Sequence, residues 1–311
     1  MNLQQLIEQY ITHRRSLGED QGSNGCSLRA FGRVIGAEAD IADVCGEQVD
    51  AFLAGTGPIT LNWHIKHSVL RAFYHYAVSR GYVATAPLPA MIPKRPPPFA
   101  PYIFSHEDLR RLLQAVDSDP RRPGCLEPVT MRTILLLLYG AGLRVREAVD
   151  LNRADVDLGG SLLTVHHSKF GKTRLIPFGP QLGSALALYA TRPRLATADA
   201  PFFTTRAGIR VKADTLQHNY RLLCERAGVC RADGARYQPR LHDLRHTFAV
   251  HRLTSWYRQG ADVQRLLPQL SVYLGHVHIR ATQVYLSMTP ELLQEANIRF
   301  ERYAGKEAVD A

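Results

Sequence analysis

Apolar residues in the first eighty positions recur at helical spacing. Leu3, Leu6, Ile7, Tyr10 and Ile11 form one stripe, Leu28 to Ile35 carries a second, and Val49 to Leu53 a short third. The fourth is the longest: Leu61, Ile65, Val69, Ala72, Phe73 and Tyr76 share one side of a helix. His64, Lys66, His67, Arg71 and His75 supply the polar positions of that helix. The pattern predicts a buried first side, with His64, Lys66, His67 and Arg71 turned toward a phosphate backbone.

Periodicity stops at PLPAMIPKRPPPFAP, Pro87–Pro101, where prolines hold the chain extended and Lys94 and Arg95 add charge. It resumes after Ser105, whose S-H-E-D sequence predicts an N-cap and an acidic first turn. These breaks divide the chain into a four-helix domain over 1–90, a linker over 91–104 and a larger domain over 105–311. In the larger domain Pro128 opens an almost wholly apolar helix that ends at Gly140-Ala141-Gly142. The stretch SLLTVHHSKFGKTRLIPF alternates around Gly171 and predicts a β-hairpin with Lys169 near its tip. Helical patterns resume at Ala213 and persist to the end, so the fold class is mainly α with a small β-hairpin.

Charge narrows the partners. The chain has 38 Lys+Arg against 28 Asp+Glu, a net charge of +10. Residues 1–98 hold 9 basic and 8 acidic residues, so 29 against 20 fall in the remainder. A large basic domain suits a polyanion such as nucleic acid. Five scattered cysteines without a C-x-x-C pair exclude a zinc knuckle and fit a reducing cytoplasm. No apolar run is long enough to span a bilayer, and the N-terminus lacks the pattern of a signal peptide.

The segment LHDLRHTFAVH at 241–251 raises a metal reading, because His242 and His246 have zinc-ligand spacing. Arg245 lies on the same face and cannot lose its proton, so a dication is repelled and no metal is expected. The same face suits a phosphate, to which an arginine fork and a histidine donate hydrogen bonds. Elsewhere Arg144 follows a glycine turn with Glu147 placed to orient it. Gly275-His276 and then Tyr285 close the series.

In this order G-L-R, S-K-F-G-K-T-R, H-D-L-R-H, L-G-H and a tyrosine resemble the tyrosine recombinases of the phage integrase and Xer family. The N-terminal segment ending AFYHYAVSRGYVATAPLP is similar to that family's core-binding, SAM-like domain. The resemblance implies a catalytic set of Arg144, Lys169, His242, Arg245, His276 and Tyr285, with Glu147 supporting Arg144. Tyr285 is then the nucleophile, His242 the acceptor of its proton and Lys169 the acid for the departing 5′-oxygen. Lys172 competes for that last role, and His246 has none. Lys172 and Arg174 join Lys94 and Arg95 as DNA contacts.

Neither cofactor nor ATP is implied, because a 3′-phosphotyrosine conserves the bond energy. The resemblance further implies a double-stranded recombination site held by both domains and a Holliday junction. It also implies a homo-tetramer joined through the helix around Leu292, Leu293, Ala296, Phe300 and Tyr303, or an assembly shared with sister recombinases. The long stretch between Arg245 and Gly275 is similar to recombinases of mobile elements. Two other readings remain open: a type IB topoisomerase-like relaxing enzyme and a non-catalytic DNA-binding regulator.

Overall fold

The computed structural model describes all residues except 20, 37, 97–99, 119–125, 169–171, 193–196, 236 and 308–311, and omits the side chains of 167, 168, 172, 299, 300 and 302–307. The chain forms two compact units, Met1–Phe99 and Ala100–Ala311.

The first unit holds helices α1 (Leu3–Ser16), α2 (Gly22–Ile35), α3 (Gly46–Ala54) and α4 (Leu61–Ser79). Asn2 caps α1 by accepting from the Gln4 amide at 2.9 Å, and Thr60 caps α4 by accepting from Asn62 at 3.3 Å. Leu3, Leu6, Ile7, Ile11, Leu28, Phe31, Val49 and Phe73 fill the core.

On α4 the buried side is not the one that aliphatic spacing predicts. Leu61 and Ile65 are 55% and 50% exposed, whereas Trp63, His64, His67, Leu70, Phe73 and Tyr74 are buried. Aromatic area decides the orientation, because Trp63, Phe73 and Tyr74 remove more surface from water than two aliphatic side chains. His67 lies flat against Trp63 with ring centroids 5.1 Å apart, and burial pushes its imidazole pKa down. Lys66 Nζ donates to the Phe52 carbonyl at 2.8 Å and sits 4.3 Å from the Phe52 ring centroid. The polar face assigned to DNA is therefore corrected: His64, Lys66 and His67 take part in packing, and Arg71 remains exposed.

The second unit begins within the segment assigned to the linker, whose Lys94 and Arg95 are exposed. Phe104 is fully buried, and its amide donates to Thr247 Oγ1 at 3.0 Å. Ser105 then caps α5 (His106–Asp117) through reciprocal 3.0 Å bonds with Asp108. Next come α6 (Pro128–Gly140), α7 (Val145–Val149) and a three-stranded antiparallel sheet. Its strands β1 (Val156–Asp157), β2 (Leu162–Ser168) and β3 (Lys172–Pro177) lie in sequence order. Leu163 pairs with Ile176 and Val165 with Arg174, and the register shifts between Val165 and Ser168.

Helices α8 (Pro180–Ala190), α9 (Ala213–Ala227), α10 (Leu241–Arg258), α11 (Val263–Leu274), α12 (Arg280–Gln283) and α13 (Pro290–Glu307) complete the unit. The core forms around α6, where Ile134, Leu137 and Leu138 are fully buried. The tail helix α13 packs on α10 of its own chain, with Leu292 buried and Glu295 paired to Arg258 at 2.7 Å. Leu293 is exposed and Ala296 half-buried, while the side chains of Phe300 and Tyr303 lie outside the described residues.

Candidate active site

Two glycine turns and one buried arginine define the site. Gly142, after α6, has φ +59°, and Gly275, after α11, has φ +66°. The second ends α11 in a Schellman motif: His276 N donates to the Ser271 carbonyl, and Gly275 N to that of Val272, both at 2.9 Å. Arg245 is only 1% exposed. Its Nη1 donates to the Gly142 carbonyl at 2.6 Å, and its Nη2 donates to the Leu274 carbonyl. A guanidinium fork thus ties both turns to α10.

Glu147 collects the other charges. Its carboxylate accepts from the Arg144 amide at 2.8 Å and from Arg144 Nη1 at 2.6 Å, closing the first turn of α7. It also accepts from Arg174 Nη1 at 3.0 Å and Nη2 at 2.8 Å, and it lies 3.9 Å from Arg245. Burial pushes this carboxyl's pKa up, but the bonds from Arg174 and Arg144 outweigh burial and hold it at about 2. Burial brings Arg245 down to about 10, still charged at neutral pH. Three guanidiniums around one carboxylate leave a net positive centre that an anion neutralises.

Arg174 departs from its assignment as a DNA contact. Its side chain is nearly buried, and besides the paired bonds to Glu147 its Nε donates to the Tyr273 carbonyl at 3.1 Å. It braces the turn before Gly275. The sequence gives no sign of this, since the ion pair joins segments 27 positions apart.

Tyr285 sits in the short 3-10 turn Val284–Ser287 after α12 and is 2% exposed. Burial raises its phenol pKa, opposed by the charge and hydrogen bond of Arg245 and by the charge of Arg144. Its hydroxyl lies 3.1 Å from His246 Nδ1. His246 therefore does not stand apart from the site as its missing family role suggests. The i, i+4 spacing with His242 was the available signal, and the two rings meet edge to face at 4.8 Å. His276 Nδ1 lies 2.7 Å from Thr282 Oγ1, and its ring stacks near Tyr285 with centroids 6.1 Å apart. Burial brings His242, His246 and His276 each down to about 4, so all three are neutral at pH 7.

The structure thus brings Arg144, Glu147, Arg174, His242, Arg245, His246, His276 and Tyr285 together. Lys169 lies outside the described residues, and Lys172 is placed at the start of β3 by its backbone alone. A cavity of about 750 Å³, lined by His106, Tyr139, His251 and Arg258, opens further along α10 and shares none of these side chains.

Residues 103–291 match the model of the phage integrase family. The y4rB integrase/recombinase of Sinorhizobium fredii is 35% identical over 305 residues, covering 96% of each chain. The chain belongs to the phage integrase family. A further member, the tyrosine recombinase XerD of Ralstonia nicotianae, is 29% identical over 83% of this chain and 77% of its own.

Two solved structures share the fold of this family member. The Tn1549 transposon integrase in complex with circular-intermediate DNA superposes with a TM-score of 0.69 at 16% identity, over 97% of this chain and 99% of that one. Lambda integrase bound to a core site gives 0.68 at 17% identity, over 93% and 97%. The match to the family model lies wholly within the second unit, which contains every residue of the arginine and histidine cluster.

Proposed function

We propose that this phage integrase family protein is a site-specific DNA recombinase of a mobile element that cuts and rejoins strands through a 3′-phosphotyrosine on Tyr285. The observation that carries the reading is the buried phenol of Tyr285 set beside the guanidiniums of Arg144 and Arg245 and the imidazoles of His246 and His276. A phosphodiester drawn to this centre gains charge on its non-bridging oxygens as the tyrosine attacks. Fixed donors already in place stabilise that charge without reorganising. His242 and His276 donate further hydrogen bonds, and Lys169 protonates the departing 5′-oxygen. Membership of the family, and relatives named as recombinases over nearly the whole chain, support the same chemistry.

Rejoining to a 5′-hydroxyl of a second duplex would proceed through a Holliday junction, with four copies of the chain on two sites. Heterologous contacts that close into a ring suit such an assembly, and sister recombinases would occupy equivalent places. The first unit, as a core-binding domain, would contribute Arg71, and Lys94, Arg95 and Lys172 would add phosphate contacts.

The test uses nicked duplexes with randomised flanks, incubated with the protein in EDTA and recovered only if covalently attached under denaturing conditions. Wild type is expected to yield adducts of a defined sequence and Tyr285→Phe to yield none. An adduct that survives Tyr285→Phe, or none from wild type, overturns the reading. Relaxation of supercoils by a monomer, without strand exchange, would point instead to a topoisomerase-like enzyme.

A further inference from the structure

We propose that His246, rather than His242, receives the phenol proton of Tyr285 as that tyrosine attacks the DNA phosphate. The inference rests on Tyr285 being the nucleophile and assigns the next atom in that step. His246 Nδ1 is 3.1 Å from the Tyr285 hydroxyl, within hydrogen-bond reach. Among the described residues no hydrogen bond joins His242 to Tyr285. His242 instead meets the His246 ring edge to face, one turn earlier on α10.

The donor and acceptor inventory allows the phenol to donate in this bond. Arg245 has only donors, and its positive charge opposes the rise that burial gives the Tyr285 pKa, so the phenol hydrogen turns toward a neutral acceptor instead. A neutral imidazole offers one bare nitrogen. With the proton on Nε2, that nitrogen is Nδ1, facing Tyr285. The tyrosine is 2% exposed, so bulk water does not compete as base.

At rest the proton stays on the phenol, because burial raises the tyrosine and lowers His246 to about 4. A phosphate entering beside both favours the imidazolium, and the proton moves as the phenol oxygen bonds to phosphorus, so no free phenolate has to form. The Tyr285 O–H bond breaks and its proton forms Nδ1–H on His246, while the phenol oxygen bonds to phosphorus. The P–O5′ bond breaks, and its electron pair leaves on the 5′-oxygen, which takes a proton from a separate acid. On rejoining, the 5′-hydroxyl attacks, the tyrosine oxygen departs and the proton returns from Nδ1.

The experiment uses a nicked duplex captured by wild-type protein from the randomised library, made with either an oxygen or a sulfur atom at the bridging 5′ position. A thiolate leaves without needing a proton, so the sulfur substrate removes the demand for an acid and leaves the demand for a base. His246→Gln is expected to form adduct about 100-fold more slowly on both substrates. His246→Ala with added imidazole is expected to regain rate, and both variants should keep wild-type melting temperature and non-covalent DNA binding. Wild-type rates for His246→Gln, or a defect that disappears with sulfur, would overturn the proposal while adduct at Tyr285 persists. Absence of imidazole rescue in a folded His246→Ala protein would overturn it too. An adduct that survives Tyr285→Phe is a different failure, since it removes the nucleophile itself.

Discussion

Gly142 and Gly275 occupy equivalent turns, yet substitution at each should be felt in a different place. A Cβ at Gly142 would lie 2.5 Å from Phe248 Cδ1, in a backbone conformation at φ +59° that L-residues avoid. Phe248 is buried with its ring stacked on Tyr273, so that ring must shift to admit the Cβ. Strain and overpacking together should cost about 2–4 kcal/mol, read as a lower urea midpoint for Gly142→Ala. At Gly275 the Cβ meets the Arg174 guanidinium at 3.0 Å, the far end of a flexible side chain. Gly275→Ala should therefore cost less stability, about 1–2 kcal/mol, and more activity. Displacing Arg174 loosens Glu147, which orients Arg144. Equal stability losses in the two variants, with unchanged adduct formation in Gly275→Ala, would contradict this division.

At the scale of elements, local signals read well where a cap or a turn dictated them. Ser105 starts α5, Pro128 starts α6, and the glycines after α6 and α11 make the two turns that carry the site. Long-range competition defeated the reading elsewhere. Which side of α4 is buried depends on how three aromatic rings fit the other helices, and aliphatic spacing is silent on that. Strand β1 has two residues, too few to show alternation, and α8 begins on a proline that also suits a loop. The roles of Arg174 and His246 are hidden in the sequence for one reason: their partners, Glu147 and Tyr285, are 27 and 39 positions away. The tail helix offers a check on which contacts matter. Leu292 is fully buried in the cluster with Phe248 and Leu253, whereas the Arg258 side chain is 60% exposed in its pair with Glu295. Leu292→Ala should lower stability by about 2–4 kcal/mol and Arg258→Ala by less than about 1 kcal/mol. Comparable losses from the two variants in urea titrations would show that the ion pair, not the leucine, secures the helix.

For the whole molecule, the distribution of buried histidines makes the two units respond differently to acid. In the second unit burial brings His242, His246, His251 and His276 each down to about 4 from 6.5. In the first unit burial lowers His67. Such groups bind protons more readily in the unfolded chain, so the folded state is undiminished above pH 6.5 and loses stability as pH falls from 6.5 to 4. The slope approaches about 1.4 kcal/mol per pH unit for each proton taken up on unfolding. Glu147 acts later, because its depressed carboxyl gives stability that is lost only as pH drops from 4.5 toward 2. The chain contains two tryptophans, Trp63 in the first unit and Trp256 in the second, so each unit can carry its own reporter. In Trp63→Phe protein, where Trp256 emits, the urea midpoint should fall steeply between pH 6.5 and 4. In Trp256→Phe protein, where Trp63 emits, it should fall much less. The midpoint is the right measure, since His67 against Trp63 alters emission intensity on protonation without any unfolding. Parallel decline of both midpoints would mean that the units unfold as one, and a flat Trp256 midpoint would mean that the four histidines protonate without unfolding the site.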